Sequence, residues 1–347
     1  MVPPIFLALV LVLALVLLLQ ASFVLWPFGN DELSAIAVWQ QLFTQPALLS
    51  SIAISLGTGL AASLLAFVVA IGLLALLFHR PGWNLRTNHR FYLLLALLLA
   101  VPHASVAIGF SLLFSAEGWL LRLVSPWLTG WHRPPDLAIV PDPWGLALIF
   151  GLFARELPFM VLIALAAQAG LRDEGRAFLM AQNCGYGRLA AFANAYGPRL
   201  YASMRPGCLI VVAYSVSVVD MALLLAPTRP EMLAVRVTSW QQEVQGFSHG
   251  AAGALLQIGV AILAMGIWEV GAKSAGYALR LRARLGQRRL RLTAPSVMFG
   301  KFLGFTALAS MMICILMLGL WSIAGYWRFP AILPDSWTLQ QFQQGGR

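Results

Sequence analysis

Arg155 and Glu156 stand side by side in the middle of an apolar run at 144–169, Asp220 lies in a second run at 206–226, and Glu269 lies near the end of a third at 250–272. His103, preceded by Pro102, interrupts a fourth run at 91–115. An ionisable group in such a setting costs about 2.5–3.5 kcal/mol to place in lipid, so each needs a partner or a task. Neighbours on a helix do not face one another, so Arg155 and Glu156 reach toward other helices, and Asp220 is one candidate partner for Arg155. The other use of the same five groups is to line a polar pathway for an ion or a solute. The runs carry no paired aspartates, no Ser–His set and no metal-ligand spacing, so no catalytic residue, metal or cofactor is assigned.

The elements that must position these groups are membrane helices. Of the 347 residues, 60% are hydrophobic and 10% charged, whereas about 25% charge is usual in a soluble domain. About 20 successive apolar residues cross the hydrocarbon core, and seven runs qualify, near 5–26, 50–78, 91–115, 144–169, 206–226, 250–272 and 302–325. The expected fold class is all-α, a polytopic membrane bundle of about seven transmembrane helices. A β-barrel is excluded because the runs do not alternate polar with apolar residues. The first run has no basic segment before it and no small-x-small cleavage site, so it reads as a retained helix rather than a signal peptide. Pro102 predicts a kink in the third helix.

The formal net charge of +10 is explained by placement. The loops at 79–91, 170–205 and 273–301 share one side of a seven-helix topology and hold sixteen of the 23 lysines and arginines. That side is expected to be cytoplasmic, with no nucleic-acid partner required. The most basic stretch, LRLRARLGQRRLRL at 279–292, suits a topological lock beside anionic lipid. The opposite loop at 116–143 carries Trp119, Trp127 and Trp131, which suit the headgroup level. Cys184, Cys208 and Cys314 match no metal or redox spacing and read as free thiols.

The loop at 170–205 is far longer than the two to eight residues usual between bundle helices, and it should therefore be structured. Leu189, Phe192, Ala193 and Tyr196 fall on one helical face, and Pro198 is expected to end that helix. Gly185-Tyr186-Gly187 separates it from an upstream helical stretch at 173–184, with a glycine supplying a left-handed turn. The product is a helix, a sharp turn and a second helix on a membrane protein's surface.

Ala181, Gly185, Arg188, Phe192 and Pro198, with thirteen residues from Gly185 to Pro198, resemble the EAA loop of permease subunits in type I binding-protein-dependent ABC importers. The resemblance covers the motif closely and the helix pattern of 1–272 more loosely. It implies the type I permease fold, with Leu179, Met180, Ala181, Gly185, Tyr186, Gly187, Arg188, Phe192 and Pro198 forming a loop that seats in an ATPase subunit. It also implies an extracytoplasmic substrate-binding protein, a second permease half or second copy, and a multi-pass place in the bacterial inner membrane with N-terminus and loop cytoplasmic. The family's opening Glu-Ala-Ala is replaced here by Leu179-Met180-Ala181, which removes one polar contact. No phosphate-binding G-x-x-x-x-G-K-[ST] occurs, so ATP chemistry would belong to the partner.

A six-helix unit would occupy 1–272, a basic linker 273–300, and 301–347 would hold one further helix. Trp327 and Phe329 after that helix echo Trp26 and Phe28 after the first, each pair followed by a second Trp and then closely by Gln-Gln and a Phe. The chain thus resembles the first half of fused two-unit permeases of the thiamine and ferric-iron importer type, with 301–347 expected to open a truncated second unit. The competing function is a proton- or ion-coupled secondary transporter using Glu156, Asp220 and Glu269.

Overall fold

The computed structural model describes residues 12, 13, 16, 35–77, 89–171, 174–243, 247–289, 294–340 and 342. The first apolar run, 5–26, and the Trp26 and Phe28 pair lie outside the described residues apart from the helical Val12, Leu13 and Val16. Everything regular among the described residues is helical, with one isolated β-bridge between Ala324 and Trp337.

Among the described residues, five helices are long and apolar enough to cross a membrane: Leu48–Ala75, His103–Val124, Leu146–Gly170, Ser248–Arg284 and Met298–Ile323. The protein is an all-α, multi-pass membrane bundle. Leu48–Leu77 packs along Leu146–Gly170, Gly197–Ser217 crosses both, and Ala294–Ile323 lies against His103–Phe114. At that last crossing a Cβ on Gly109 would sit 2.7 Å from the Cys314 carbonyl oxygen, so only a glycine lets the two backbones approach. Along Leu48–Leu77, buried Ser55 and Ser63 return their hydroxyls to the carbonyls of Ser51 and Gly59 at 2.7 and 2.8 Å, which satisfies polar groups that lipid would leave orphaned.

Two expected spans are broken rather than continuous. The run 91–115 divides into His89–Ala100 and His103–Phe114 around Pro102, a break where a kink was expected. Proline cannot donate to the carbonyl four residues back, and the residue before it resists helical torsions. The run 206–226 begins earlier than its apolarity shows, as Gly197–Ser217, and resumes after Val218 and Val219 as Asp220–Leu225. The sixth span continues as one helix of 38 residues, Phe247–Arg284, so the basic stretch starts as helix rather than as loop.

The end of the bundle that holds residues 116–143 is fastened by Asp142 and Arg122. The Asp142 carboxylate accepts from the amides of Trp144, Leu146 and Ala147 at 2.7–3.0 Å and so caps Leu146–Gly170. Buried Arg122 donates to the carbonyls of Glu117, Arg328 and Ala331 and faces the rings of Trp321, Trp327 and Phe329 at 5.0–5.9 Å. Of the three tryptophans expected at the headgroup level, Trp127 and Trp131 are exposed and Trp119 is half-buried.

Candidate functional site

The loop that joins Leu146–Gly170 to the next membrane helix consists of Glu174–Asn183, a turn, Arg188–Ala191, a π-helical turn Phe192–Tyr196, and the start of Gly197–Ser217. The turn is a Schellman motif. The Tyr186 amide donates to the Ala181 carbonyl at 3.1 Å and the Gly185 amide to that of Gln182 at 2.9 Å, the paired pattern that closes a helix through a left-handed residue. Gly185 has φ +84°, which confirms the glycine turn expected from the sequence.

Pro198 does not end a helix. It sits in the first turn of Gly197–Ser217, where a missing N–H costs nothing, and the π turn before it absorbs the register change. The Asn194 side chain donates to the Ala190 carbonyl at 2.8 Å within that turn. Because the π turn rotates the face, the buried positions are Ala190, Ala191, Phe192, Tyr196 and Leu200, while Leu189 and Ala193 are only half-buried. Burial pushes the Tyr196 phenol up to about 12, so it stays neutral. Phe178, Phe192 and Tyr196 belong to the same buried cluster as Leu157, Met204 and Val260 of the membrane helices, which makes the loop continuous with the bundle core. Leu179 and Met180 point outward and are 47% and 66% exposed, and Cys184, Gly185 and Arg188 are exposed beside them.

The second set of sequence-derived residues gathers at the two helix breaks. Arg155 does not pair with Asp220; its Nη2 donates to the Leu99 carbonyl at 3.1 Å. Pro102 ends His89–Ala100 and leaves its last carbonyls without helical donors, so a buried cation at that negative helix end is the stronger match. Glu156 reaches His103, Oε1 to Nε2 3.7 Å, and both carboxylate and guanidinium are buried. The His103 ring lies 4.7 Å from that of Tyr214, whose hydroxyl feels Asp220, Glu156 and Arg155. Asp220 accepts from the Met221 amide at 2.9 Å, at the start of its half-helix. Gln257 donates to the Val216 carbonyl and to Ser217 Oγ, both at 3.2 Å, and so satisfies the other break. Glu269 stands apart, bonded to Arg205 at 2.7 Å. The cluster is thus a polar core at two discontinuous helices, the kind of place where membrane transporters handle solutes.

Sequence reasoning missed Arg122, Tyr214, Gln257 and Arg288. Arg288 Nη1 donates to the Cys184 carbonyl at 3.0 Å, and the Gly187 amide donates to the Arg288 carbonyl at 2.9 Å. These two bonds put the 170–205 loop and the stretch after the sixth span on one side of the bundle, as the count of spans implied. The arginine run itself was the available signal, although nothing in its pattern names its partner.

No protein-family model matches the chain. The chain is 31% identical over 210 residues to the inner membrane ABC transporter permease protein YnjC of Escherichia coli (strain K12). That match covers 60% of this chain and 37% of the length of the relative.

Proposed function

We propose that this chain is the membrane-spanning permease subunit of an ATP-driven importer, a transport subunit whose ATP hydrolysis resides on a separate ATPase. The observation that carries this reading is the rigid Gly185 turn between two short helices, beside outward-facing Leu179 and Met180, in a chain similar to an ABC permease. Phe178, Phe192 and Tyr196 anchor the turn in the bundle core, so a force applied to the turn is delivered to the membrane helices. In this reading ATPase subunits close on the loop from the cytoplasm, an extracytoplasmic binding protein delivers solute at the other end, and a second permease half or second copy completes the pathway in the bacterial inner membrane. The unit at 1–272 carries the coupling loop. The resemblance to fused permeases of the thiamine and ferric-iron type refines the same reading.

The test is co-expression with candidate ATPase subunits, gentle detergent extraction through a tag on this chain, and mass spectrometry of what stays bound, beside a Gly185→Asp variant. Stoichiometric ATPase lost in the variant supports the reading. A well-folded preparation that retains none overturns it.

The polar cluster favours a second reading, a proton- or ion-coupled secondary transporter, because Glu156 and Asp220 sit at helix breaks beside His103 and Tyr214. That reading expects Glu156→Gln and Asp220→Asn to abolish transport with Gly185→Asp harmless. The permease reading expects the opposite weighting.

A further inference from the structure

The helix Phe247–Arg284 has 38 residues, about 57 Å at 1.5 Å per residue, and its far part carries Lys273, Arg280, Arg282 and Arg284. A bilayer with its headgroups is about 40–45 Å thick, so this basic end projects beyond the lipid even with an ordinary tilt of about 20°. Tyr277, Leu281 and Leu285 on the projecting part are exposed, so the bundle does not cover it.

The projection is turned back by a second Schellman motif. The Gly286 amide donates to the Ala283 carbonyl at 3.1 Å, the Gln287 amide to that of Arg282 at 2.9 Å, and Gly286 has φ +75°. Two residues past each glycine the two turns meet, Gly187 with Arg288, through the backbone bond and the Arg288–Cys184 bond already described. The Arg288 guanidinium lies 5.9 Å from the centre of the Tyr186 ring. Arg289 follows against the same turn, its Cγ 3.7 Å from where a Gly187 Cβ would stand. Arg288 and Arg289 are exposed, and among the described residues neither has a carboxylate within ion-pair distance.

We propose that residues 287–289 form part of the ATPase-docking surface, so that the knob offered to the partner is the Gly185 turn and the Arg288–Arg289 linker together. This rests on the permease reading above. Arg288 holds the two turns as one body, and Arg289 with the outer face of Arg288 presents uncompensated positive charge beside apolar Leu179 and Met180. The partner chemistry that fits is an apolar cleft with carboxylates on its rim. A lipid surface fits less well, because the linker follows a helix that has already left the headgroup layer.

The test uses the full chain co-expressed with its ATPase in detergent, and ATPase retention is measured from low to high salt for wild type, Arg289→Glu, Arg289→Lys, the double variant R288A/R289A and Gly185→Asp. A rim charge governs association rate and salt dependence. Arg289→Glu is expected to weaken retention about three- to tenfold at low salt and to flatten the salt dependence, with Arg289→Lys close to wild type. Unchanged elution and thermal stability establish that the exposed variants are folded. Wild-type retention by Arg289→Glu and by the double variant at every salt concentration, with loss only in Gly185→Asp, overturns this inference and leaves the permease reading standing. No retention by the wild type removes both. Binding to phosphatidylglycerol vesicles that falls in Arg289→Glu while ATPase retention does not would assign the linker to lipid and also overturn the inference.

Discussion

Arg122 and Arg288 do the same job at opposite ends of the bundle, and they do it at different depths. Each donates to backbone carbonyls on a distant segment, and between them they tether the two flanks of the helix Ala294–Ile323. Arg122 is 5% exposed, reaches three carbonyls and is walled by three aromatic rings. Arg288 is exposed, reaches one carbonyl and faces one ring. A guanidinium kept from water loses its whole hydrogen-bonding environment if its partners move, whereas an exposed one exchanges them for water at little cost. The Arg122 end is therefore a lock and the Arg288 end a catch that can open at little cost.

The largest effect should come from breaking the lock. Arg122→Ala removes one donor from each of three carbonyls, although that of Arg328 keeps the Ala331 amide and that of Ala331 keeps the Trp327 indole, and it opens a space among Trp321, Trp327 and Phe329, for an expected loss of about 3 kcal/mol. Buried Cys314, whose carbonyl is in close approach to Gly109, is the reporter. Its labelling by a membrane-permeant maleimide should rise many-fold in Arg122→Ala, together with a lower unfolding temperature. An unchanged labelling rate would mean that the end is held by something else.

Arg155 ranks next. It caps the Leu99 carbonyl within the membrane, and Arg155→Met should cost about 1–3 kcal/mol because that carbonyl has no water to turn to. Thermal unfolding in lipid nanodiscs measures the loss. If Arg155→Met were neutral while Arg155→Ala were costly, packing rather than capping would be the residue's role.

These arginines show how far the sequence could be read. The membrane helices were legible because apolarity over about 20 residues is a local property. The turn was legible for the same reason, since Gly185-Tyr186-Gly187 falls between two helix-tolerant stretches, and the structure puts Gly185 at φ +84°. Pro198 was misread because a proline at a helix start and a proline after a helix end look alike until the π turn at Phe192–Tyr196 is seen. Arg155 was matched with Asp220 because opposite charges are visible in a sequence and orphan carbonyls are not. Arg122 and Arg288 were missed on the same ground: each bonds backbone carbonyls more than a hundred residues away, which no pattern of side chains announces.

The two glycine turns allow a smaller and sharper comparison. Gly185 and Gly286 close their helices by the same pair of bonds and have φ +84° and +75°. Alanine at either position should cost about 1 kcal/mol, the ordinary expense of left-handed backbone for a residue with a Cβ. Equal losses of stability are expected from thermal unfolding, since the motifs are alike. Under the proposed permease reading, ATPase retention should fall further in Gly185→Ala than in Gly286→Ala, because the first turn is the one flanked by exposed Leu179 and Met180. Equal retention in both would mean that the two turns contribute alike to the docked surface.

The smallest effect on stability should come from Arg288 itself. Arg288→Ala removes one exposed charge-assisted bond and a distant ring contact, worth less than about 1 kcal/mol. The backbone bond from Gly187 to residue 288 needs no side chain, so the two turns should stay together at rest and the unfolding temperature should barely move. The change should appear in motion instead. With paired cysteines replacing Gly187 and Arg289 and the native Cys184 removed, disulfide formation should be rapid with Arg288 present. Arg288→Ala should slow it, and ATP should slow it further if the catch opens during the transport cycle. A crosslinking rate that ignores both changes would make the Arg288 end a second lock, and the contrast with Arg122 would then be one of exposure alone.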